Sequence, residues 1–150
     1  MSATSETVPT TPIRIALGLV YFHFGFLKLF PDLSGAELLA GQTILRLGLG
    51  VDANLAVRGL GVFECVIGAL FLFGWFRRTA LGLFFVHMAG TFVPLFALPG
   101  LVFKFAPFAP SLEGQYIFKN IVFVAAGWVV LRAELARRRL VTHASRPEQS

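Results

Sequence analysis

Residues 57–76, VRGLGVFECVIGALFLFGWF, form a long apolar stretch that carries a single carboxylate, Glu64. A helix needs about 20 residues to cross the hydrocarbon of a bilayer, and this stretch has that length. Further stretches of similar length and character lie at 13–30, 79–98 and 115–131. The sequence therefore predicts an all-α integral membrane protein that folds as a four-helix bundle.

The composition supports a membrane protein and argues against several other classes. Hydrophobic residues make up 56% of the 150-residue chain and charged residues only 14%, and the mean hydropathy is +0.75. A soluble domain this small exposes too much surface to hide so many apolar side chains, so we expect the lipid bilayer as its surroundings. The net charge of +5 is carried at the ends of the spans, so no nucleic-acid partner is expected. We find no phosphate-binding loop and no zinc-ligand spacing, and no metal site is predicted.

Basic residues cluster at one end of the predicted bundle. Arg77 and Arg78 fill the link between the second and third spans. Four other basic residues lie outside these clusters and are scattered along the chain: Lys28, Arg46, Arg58 and Lys104. Because positively charged loops stay in the cytoplasm, the pattern predicts that both termini are cytoplasmic. The second basic group follows the fourth span and comprises Arg132, Arg137, Arg138, Arg139 and Arg146.

The chain divides into three predicted parts. Residues 1–11, rich in Ser, Thr and Pro, are expected to be a disordered cytoplasmic tail. Residues 12–131 contain the four membrane helices. Residues 132–150 form a basic cytoplasmic tail, which we expect to continue the fourth helix at first.

The loops at the opposite end of the bundle have structure of their own. Ser34 and Glu37 match a capping box, which predicts a short helix lying at the outer membrane interface. Pro94 is expected to kink the third span, because proline removes one helical hydrogen-bond donor. The Phe- and Pro-rich loop at 101–114 is expected to fold back onto the mouth of the bundle.

Helical spacing indicates which polar residues can meet. On the first helix, His23 lies about 140° around from Lys28, so the two side chains cannot point at one centre. His23 alone is better explained as a histidine bonded to a carbonyl or facing a neighbour. The lone Cys65 cannot form an intrachain disulfide and is interpreted as a packing residue. One stripe of the first helix combines small and polar residues and should face other helices: Arg14, Gly18, Tyr21, Gly25 and Lys28.

The remaining polar residues predict one pocket that opens outward. Glu64 has Gly61 and Gly68 on its face, which leaves room for a helix or a small ligand. Charged residues inside a membrane usually face the bundle interior. We expect Glu64 to pair with Lys119, while Lys28 extends its ammonium outward. The candidate pocket residues, with His87 as the floor and the outer loops as the roof, are Tyr21, Lys28, Glu64, His87, Thr91, Tyr116, Lys119 and Asn120.

Four segments together resemble the DoxX-like superfamily of small four-helix bacterial membrane proteins. They are GLVYFHFGFLKLFP at 18–31, GVFECVIGALFLFGWFRRTAL at 61–81, GTFVPLFALPG at 90–100 and LEGQYIFKNIVFVAAG at 112–127. The order of a lysine, a glutamate and Tyr-x-x-Lys-Asn along the spans is the more specific part. The resemblance implies a bacterial inner (plasma) membrane location.

The resemblance also implies several functions. The family name comes from a subunit linked to thiosulfate oxidation with quinone as electron acceptor, other members are associated with oxidative stress, and distant relatives look like receptor chaperones. The first hypothesis is a redox-linked accessory subunit that binds a quinone-like or other small apolar molecule and contacts a redox enzyme or a second copy of itself. The alternative is a non-enzymatic scaffold or assembly factor. Haem held by His23 and His87 is disfavoured by the position of His23, and solute transport by the small number of spans. Whether the protein is an enzyme stays open, and no catalytic residue is assigned.

Overall fold

The computed structural model describes residues 9–144. Most of the predicted disordered tail, and the end of the basic tail with Arg146, therefore lie outside the described residues. The elements in chain order are α1 Thr11–Leu27, α2 Glu37–Arg46, α3 Ala53–Phe73, α4 Arg77–Thr91, α5 Pro94–Ala97, α6 Pro99–Val102, β1 Phe103–Phe105, β2 Ala109–Pro110, α7 Leu112–Phe118 and α8 Asn120–Ala144.

The architecture is a bundle of α1, α3, α4 and α8, and the predicted all-α membrane fold is confirmed. Within the described chain, three helical stretches are long and apolar enough to cross a membrane: Ala53–Phe73, Arg77–Ala97 and Leu112–Leu140. The apolar helix α1 has 17 residues, at the short end of the range that spans hydrocarbon. The only sheet among the described residues is the antiparallel pair of β1 and β2.

Helices α1 and α3 make the closest helix contact, and glycines on both helices permit it. A Cβ atom added to Gly25 would lie 2.7 Å from the Gly61 carbonyl oxygen, and one added to Gly61 would lie 2.7 Å from the Gly25 oxygen. Gly18 and Gly68 form a second such pair, about two helical turns before Gly25 along α1. The backbones therefore touch directly, as small residues allow in membrane helices. The predicted small-polar stripe of α1 does face other helices.

The core lies where α3, α4 and α8 meet α1. Phe71, Phe84 and Ile67 are fully buried there. Gly127 lies against the Phe84 ring, so the small-residue patch of α8 lets this helix approach α4. Arg14 closes the end of the contact by donating to the carbonyl oxygens of Phe71 and Leu72. These carbonyls belong to the last turn of α3, where they lack helical partners.

Two predicted helix starts differ from the structure. Helix α3 begins at Ala53, several residues before the expected start, because the Asp52 side chain accepts a hydrogen bond from the Leu55 amide at 2.8 Å. The short helix α2 exists, but the predicted capping box is wrong. Ser34 forms no side-chain cap, and Glu37 instead accepts from the Asp32 amide at 3.1 Å. Asp32 has a positive φ of 64°, which turns its amide toward Glu37.

The outer loops close one end of the bundle. Helix α4 ends at Thr91 and α5 starts again at Pro94, so the expected proline kink is a break in the helix. The loop at 101–114 does fold back, since Val102 is fully buried against Leu39 and Ile117. The last span begins at α7, where the Ser111 hydroxyl accepts from the Gly114 amide. Helix α8 continues past the predicted span to Ala144.

Candidate functional site

Glu64 lies inside the bundle and pairs with two residues from neighbouring helices. Its Oε2 accepts from Lys28 Nζ of α1 at 2.6 Å, and its Oε1 lies 2.9 Å from His87 Nε2 of α4. His87 Nε2 forms no hydrogen bond of good geometry, so this second contact is an approach within ion-pair distance. The prediction that Glu64 pairs with Lys119 is therefore wrong. Gly25 and Gly61 bring α1 so near α3 that Lys28, one turn after Gly25, reaches the carboxylate first.

His87 extends the ion pair into a four-residue polar network. Its Nδ1 lies 3.0 Å from the Tyr21 hydroxyl, and the two rings meet edge to face. The chain of contacts thus runs from Tyr21 through His87 and Glu64 to Lys28, and all four residues are at most 8% exposed. Because α1, α3 and α4 each contribute, the network depends on the packing of three helices.

Burial explains why these groups must be paired. An isolated carboxylate or ammonium in hydrocarbon is far less stable than in water, and pairing with good hydrogen bonds offsets that loss. The expected outward-directed ammonium of Lys28 is not observed, since this side chain is buried at 5% exposure. Its charge is instead balanced by Glu64 at hydrogen-bond distance.

Lys119 occupies a different environment from Lys28. Its Nζ lies 4.1 Å from the centre of the Tyr116 ring and 4.7 Å from that of Phe24, which is cation–π geometry. Among the described residues it has no carboxylate partner. Lys119 separates α7 from α8, and Asn120 is the first residue of α8. Both residues line the cavity described below, although the Lys119 side chain is also exposed at the surface.

The polar residues line a cavity of about 600 Å³ between the helices. Aromatic side chains such as Phe24, Phe63 and Phe123 supply much of its apolar wall. The Tyr21–His87–Glu64–Lys28 network lies along one part of the wall and the α7–α8 junction along another. The structure brings all the sequence-predicted pocket residues to this one cavity: Tyr21, Lys28, Glu64, His87, Thr91, Tyr116, Lys119 and Asn120.

Helix α2 covers the cavity, which the sequence reasoning did not foresee in detail. It contributes Leu39, Thr43 and Ile44 to the lining. A roof made of outer loops was expected, but the residues were not identified. The available signal was the separation of four residues between Leu39 and Thr43, which places both on one face of an amphipathic helix. Glu134, a buried acid near the other end of the bundle, was also overlooked because it lies past the predicted span.

His23 and Cys65 both lie outside the lining of the cavity. His23 is exposed on α1 and does not line the cavity, whereas His87 is buried and has both ring nitrogens next to polar atoms. The two histidines therefore do not converge on one haem site. Cys65 is a free thiol whose Sγ lies 3.6 Å from the Phe22 carbonyl oxygen, as a packing residue would. In the part of the chain that the structure describes, no group of three or more His, Cys, Asp or Glu residues is placed to hold a metal.

The cavity offers specific chemistry to a ligand. Apolar walls with a few convergent polar groups are typical of small-molecule sites. Lys119 and Asn120 can donate hydrogen bonds to a ligand oxygen, and Tyr116 can donate or accept one. Glu64 and His87 are groups that exchange protons in catalytic sites. The arrangement therefore suits a largely apolar molecule that carries oxygen atoms.

The fold and the cavity define a multi-pass, all-α membrane protein with an intramembrane ion pair. The family model of DoxX matches residues 10–98, more than half of the chain, and the protein therefore belongs to the DoxX family. The matched region contains Lys28 and Glu64, while Tyr116, Lys119 and Asn120 lie beyond it. No match was found among curated proteins or among solved structures.

Proposed function

We propose that this DoxX-family protein is a redox-linked accessory subunit that binds a quinone-like or other small apolar molecule in its intramembrane cavity. The observation that carries the proposal is the convergence of ionisable residues from α1, α3 and α4 on one largely apolar cavity. Packing alone does not require a cavity of about 600 Å³ beside a buried ion pair. Such a space has the size of a small-molecule site.

The two polar parts of the cavity suggest different roles in this function. The Lys119 ammonium and the Asn120 amide would hold one ligand oxygen, with Tyr116 beside them. Reduction of a quinone adds two electrons and two protons, and the electrons would come from a redox enzyme partner. Glu64 or His87 would pass protons between the ligand and the polar network, because Oε1 and Nε2 are already 2.9 Å apart.

The location and orientation proposed here follow from charge. The protein would reside in a bacterial inner membrane with both termini in the cytoplasm. Support comes from Arg77 and Arg78, which lie at the same end of the bundle as Arg137 and Arg138. The cavity would then open toward the outer half of the bilayer, beneath α2, where an apolar molecule can enter from the lipid. A redox enzyme or a second copy of the chain would bind to the lipid-facing surface of the bundle.

The test is to identify what the cavity holds. The purified protein would be extracted and the extract analysed by mass spectrometry for lipid-soluble redox molecules, and the reconstituted protein would be titrated with a quinone. We expect Lys119→Gln to weaken quinone binding about tenfold, because it removes the ammonium proposed to hold the ligand oxygen. His23→Gln is the matched control, since His23 is exposed away from the cavity. Absence of any bound molecule together with absence of quinone binding would reject the proposal.

A second candidate function is a scaffold or assembly factor. It is favoured by one observation: both oxygens of Glu64 already lie next to Lys28 and His87. The network is therefore complete without a ligand, and its role would be to fix helix packing. In this case the double variant Glu64→Gln with Lys28→Met would keep partner binding intact as long as it folds. A folded double variant that loses a measured redox activity would reject the scaffold and support the subunit.

A further inference from the structure

A basic groove lies at the end of the bundle away from the cavity described above. It has a volume of about 810 Å³ and lies between the start of α4 and the extension of α8. Four arginines against one glutamate leave an excess of three positive charges in it. The groove is lined by Gly74, Phe76, Arg77, Arg78, Thr79, Glu134, Arg137 and Arg138.

Glu134 organises the arginines without neutralising the groove. Its side chain is only 8% exposed, and its Oε2 lies 3.7 Å from both Arg77 Nη1 and Arg137 Nε. These separations are longer than the 2.7–2.9 Å or so of a strong charge-assisted hydrogen bond. Arg77 and Arg137 are therefore gathered around the buried carboxylate without a short hydrogen bond to it. The side chains of Arg77 and Arg137 remain 41% and 66% exposed.

The start of α4 adds backbone donors to the same groove. Helix α4 begins at Arg77, and its N-cap residue, Phe76, supplies no side-chain hydrogen bond. The first amides of a helix lack internal partners, and the helix dipole places partial positive charge there. Arg78 and Thr79, which belong to this first turn, both line the groove. Arginine forks together with a helix N-terminus are a combination that favours phosphate.

The surroundings of the groove indicate that the phosphate belongs to a lipid. Trp75 and Phe76, in the turn that leads into α4, are 60% and 76% exposed. Large aromatic side chains of this kind collect at the level of the lipid headgroups. The groove also lies at the end of membrane-length helices, with Arg77 as the first residue of one of them. A soluble phosphate compound would not require exposed aromatic residues beside its site.

We propose that this groove is a binding site for the headgroup phosphate of an anionic phospholipid. The phosphate lies between Arg78 of α4 and Arg137 of α8, and the acyl chains run along the exposed aromatic surface. Arg77 and Glu134 hold the two walls of the groove together. The bound lipid would thus join the α3–α4 turn to the extension of α8.

The test compares lipid retention in two matched double variants. Arg78→Gln with Arg137→Gln removes two groove charges but keeps the Arg77–Glu134 contact, which joins α4 to α8. Arg46→Gln with Arg58→Gln removes two exposed charges from the opposite end of the bundle. Each protein would be purified in neutral detergent and its bound phosphatidylglycerol and phosphatidylcholine counted by native mass spectrometry. A thermal melt would establish that both variants are folded.

The expected result is selective loss in one variant. The wild type retains phosphatidylglycerol in preference to phosphatidylcholine. The groove variant binds phosphatidylglycerol about thirtyfold more weakly, since each of the two removed basic residues contributes about 1 kcal/mol near anionic lipid. The Arg46/Arg58 variant retains lipid as the wild type does.

Three results would overturn the proposal. The first is equal retention of the two lipids by the wild type, and the second is equal loss in both folded variants. The third is displacement of phosphatidylglycerol by inorganic phosphate at the same concentration, which would assign the groove to a soluble anion. If the groove variant does not fold, Arg78→Gln alone gives the same comparison against Arg58→Gln. The outcome is independent of quinone binding, because the two sites share no residues.

Discussion

At the scale of single residues, the decisive feature is that Glu64 is held by Lys28 and not by Lys119. Both lysines line the same cavity, but only Lys28 reaches the carboxylate, at 2.6 Å. Removing one partner of a buried ion pair leaves the other charge uncompensated in a medium that stabilises it poorly. The free energy of unfolding should therefore depend strongly on Lys28 and Glu64 being present together.

A double-mutant cycle tests this pairing. We expect Glu64→Gln and Lys28→Met each to lower the free energy of unfolding by about 3–5 kcal/mol. The double variant should cost less than the sum by more than about 1 kcal/mol, because neither charge is then left alone. The same cycle with Lys119→Met should couple to Glu64→Gln by less than about 0.5 kcal/mol. Reversible unfolding in mixed micelles provides the measurement, and stronger coupling to Lys119 would contradict the observed contacts.

The hydrogen bond between Tyr21 and His87 allows a second prediction. Tyr21→Phe removes the hydroxyl 3.0 Å from His87 Nδ1 and leaves a buried ring nitrogen without this partner. We expect a loss of about 1–2 kcal/mol in the free energy of unfolding. Tyr116→Phe is the matched control, since the Tyr116 ring supports Lys119 through its face, which phenylalanine keeps. Equal losses in the two variants would show that the network does not depend on the Tyr21 hydroxyl.

At the scale of elements, the α1–α3 contact positions the site. Gly18 and Gly25 of α1 lie against Gly68 and Gly61 of α3. Lys28 follows Gly25 by one turn, and its partner Glu64 lies on α3 between Gly61 and Gly68. Without a driving force from water, membrane helices depend on such close packing for their association. A change that separates the two backbones should therefore affect both stability and the ion pair.

Glycine-to-alanine substitutions test this contact. A Cβ atom at Gly68 would lie 2.5 Å from the Phe22 amide nitrogen, so Gly68→Ala forces the helices apart. We expect a loss of about 1–3 kcal/mol in the free energy of unfolding, the usual cost of overpacking. Gly82→Ala in α4 meets no atom within 4 Å and should be neutral or stabilising by up to about 1 kcal/mol. If Gly68→Ala behaves like Gly82→Ala, the backbones are not in contact.

Helix α2 provides a prediction about access to the cavity. Ala40 lines the cavity, whereas Leu38 on the same helix is 56% exposed. Ala40→Phe should fill part of the space and lower quinone binding about tenfold or more without touching the ion pair. Leu38→Phe adds an aromatic ring to the outer face and should leave binding unchanged. Unchanged binding in a folded Ala40→Phe protein would place the ligand elsewhere.

At the scale of the whole molecule, the two ends of the bundle differ in character. One end carries the arginine groove around Glu134. The other end carries α2, which lines the cavity, and the small sheet, whose Phe103 packs near Leu39 of α2. This polarity fits an inner-membrane protein with both termini in the cytoplasm. In the proposed orientation, the groove would lie against the cytoplasmic leaflet, whose surface is negatively charged because it contains anionic lipids.

Cysteine labelling tests the orientation. In a Cys65→Ser background, Leu49→Cys and Ala136→Cys place single thiols at exposed positions at opposite ends of the bundle. A membrane-impermeant maleimide should label Leu49→Cys in intact spheroplasts and Ala136→Cys only after permeabilisation. The reverse pattern would mean that the arginine-rich end faces outward, and the assignment of the termini would be wrong.

The sequence alone determined the class of the protein and much of the candidate pocket. Hydropathy and length identify the membrane helices because hydrocarbon requires every backbone amide to be bonded within a helix. Helical spacing placed Tyr21 and Lys28 on one face of α1 and separated His23 from them. These properties are local, so they can be derived from residue order.

Only the tertiary structure decided which charges pair and what closes the cavity. Spacing along a helix does not say how far that helix is rotated, or how near it comes to its neighbour. Here the glycine contacts bring α1 against α3, which places Lys28 rather than Lys119 beside Glu64. The buried position of Glu134 and the cover formed by α2 likewise depend on helices that are distant in sequence. Ion pairing in a membrane is governed by distances of a few ångströms between helices, and those distances exist only once the bundle is packed.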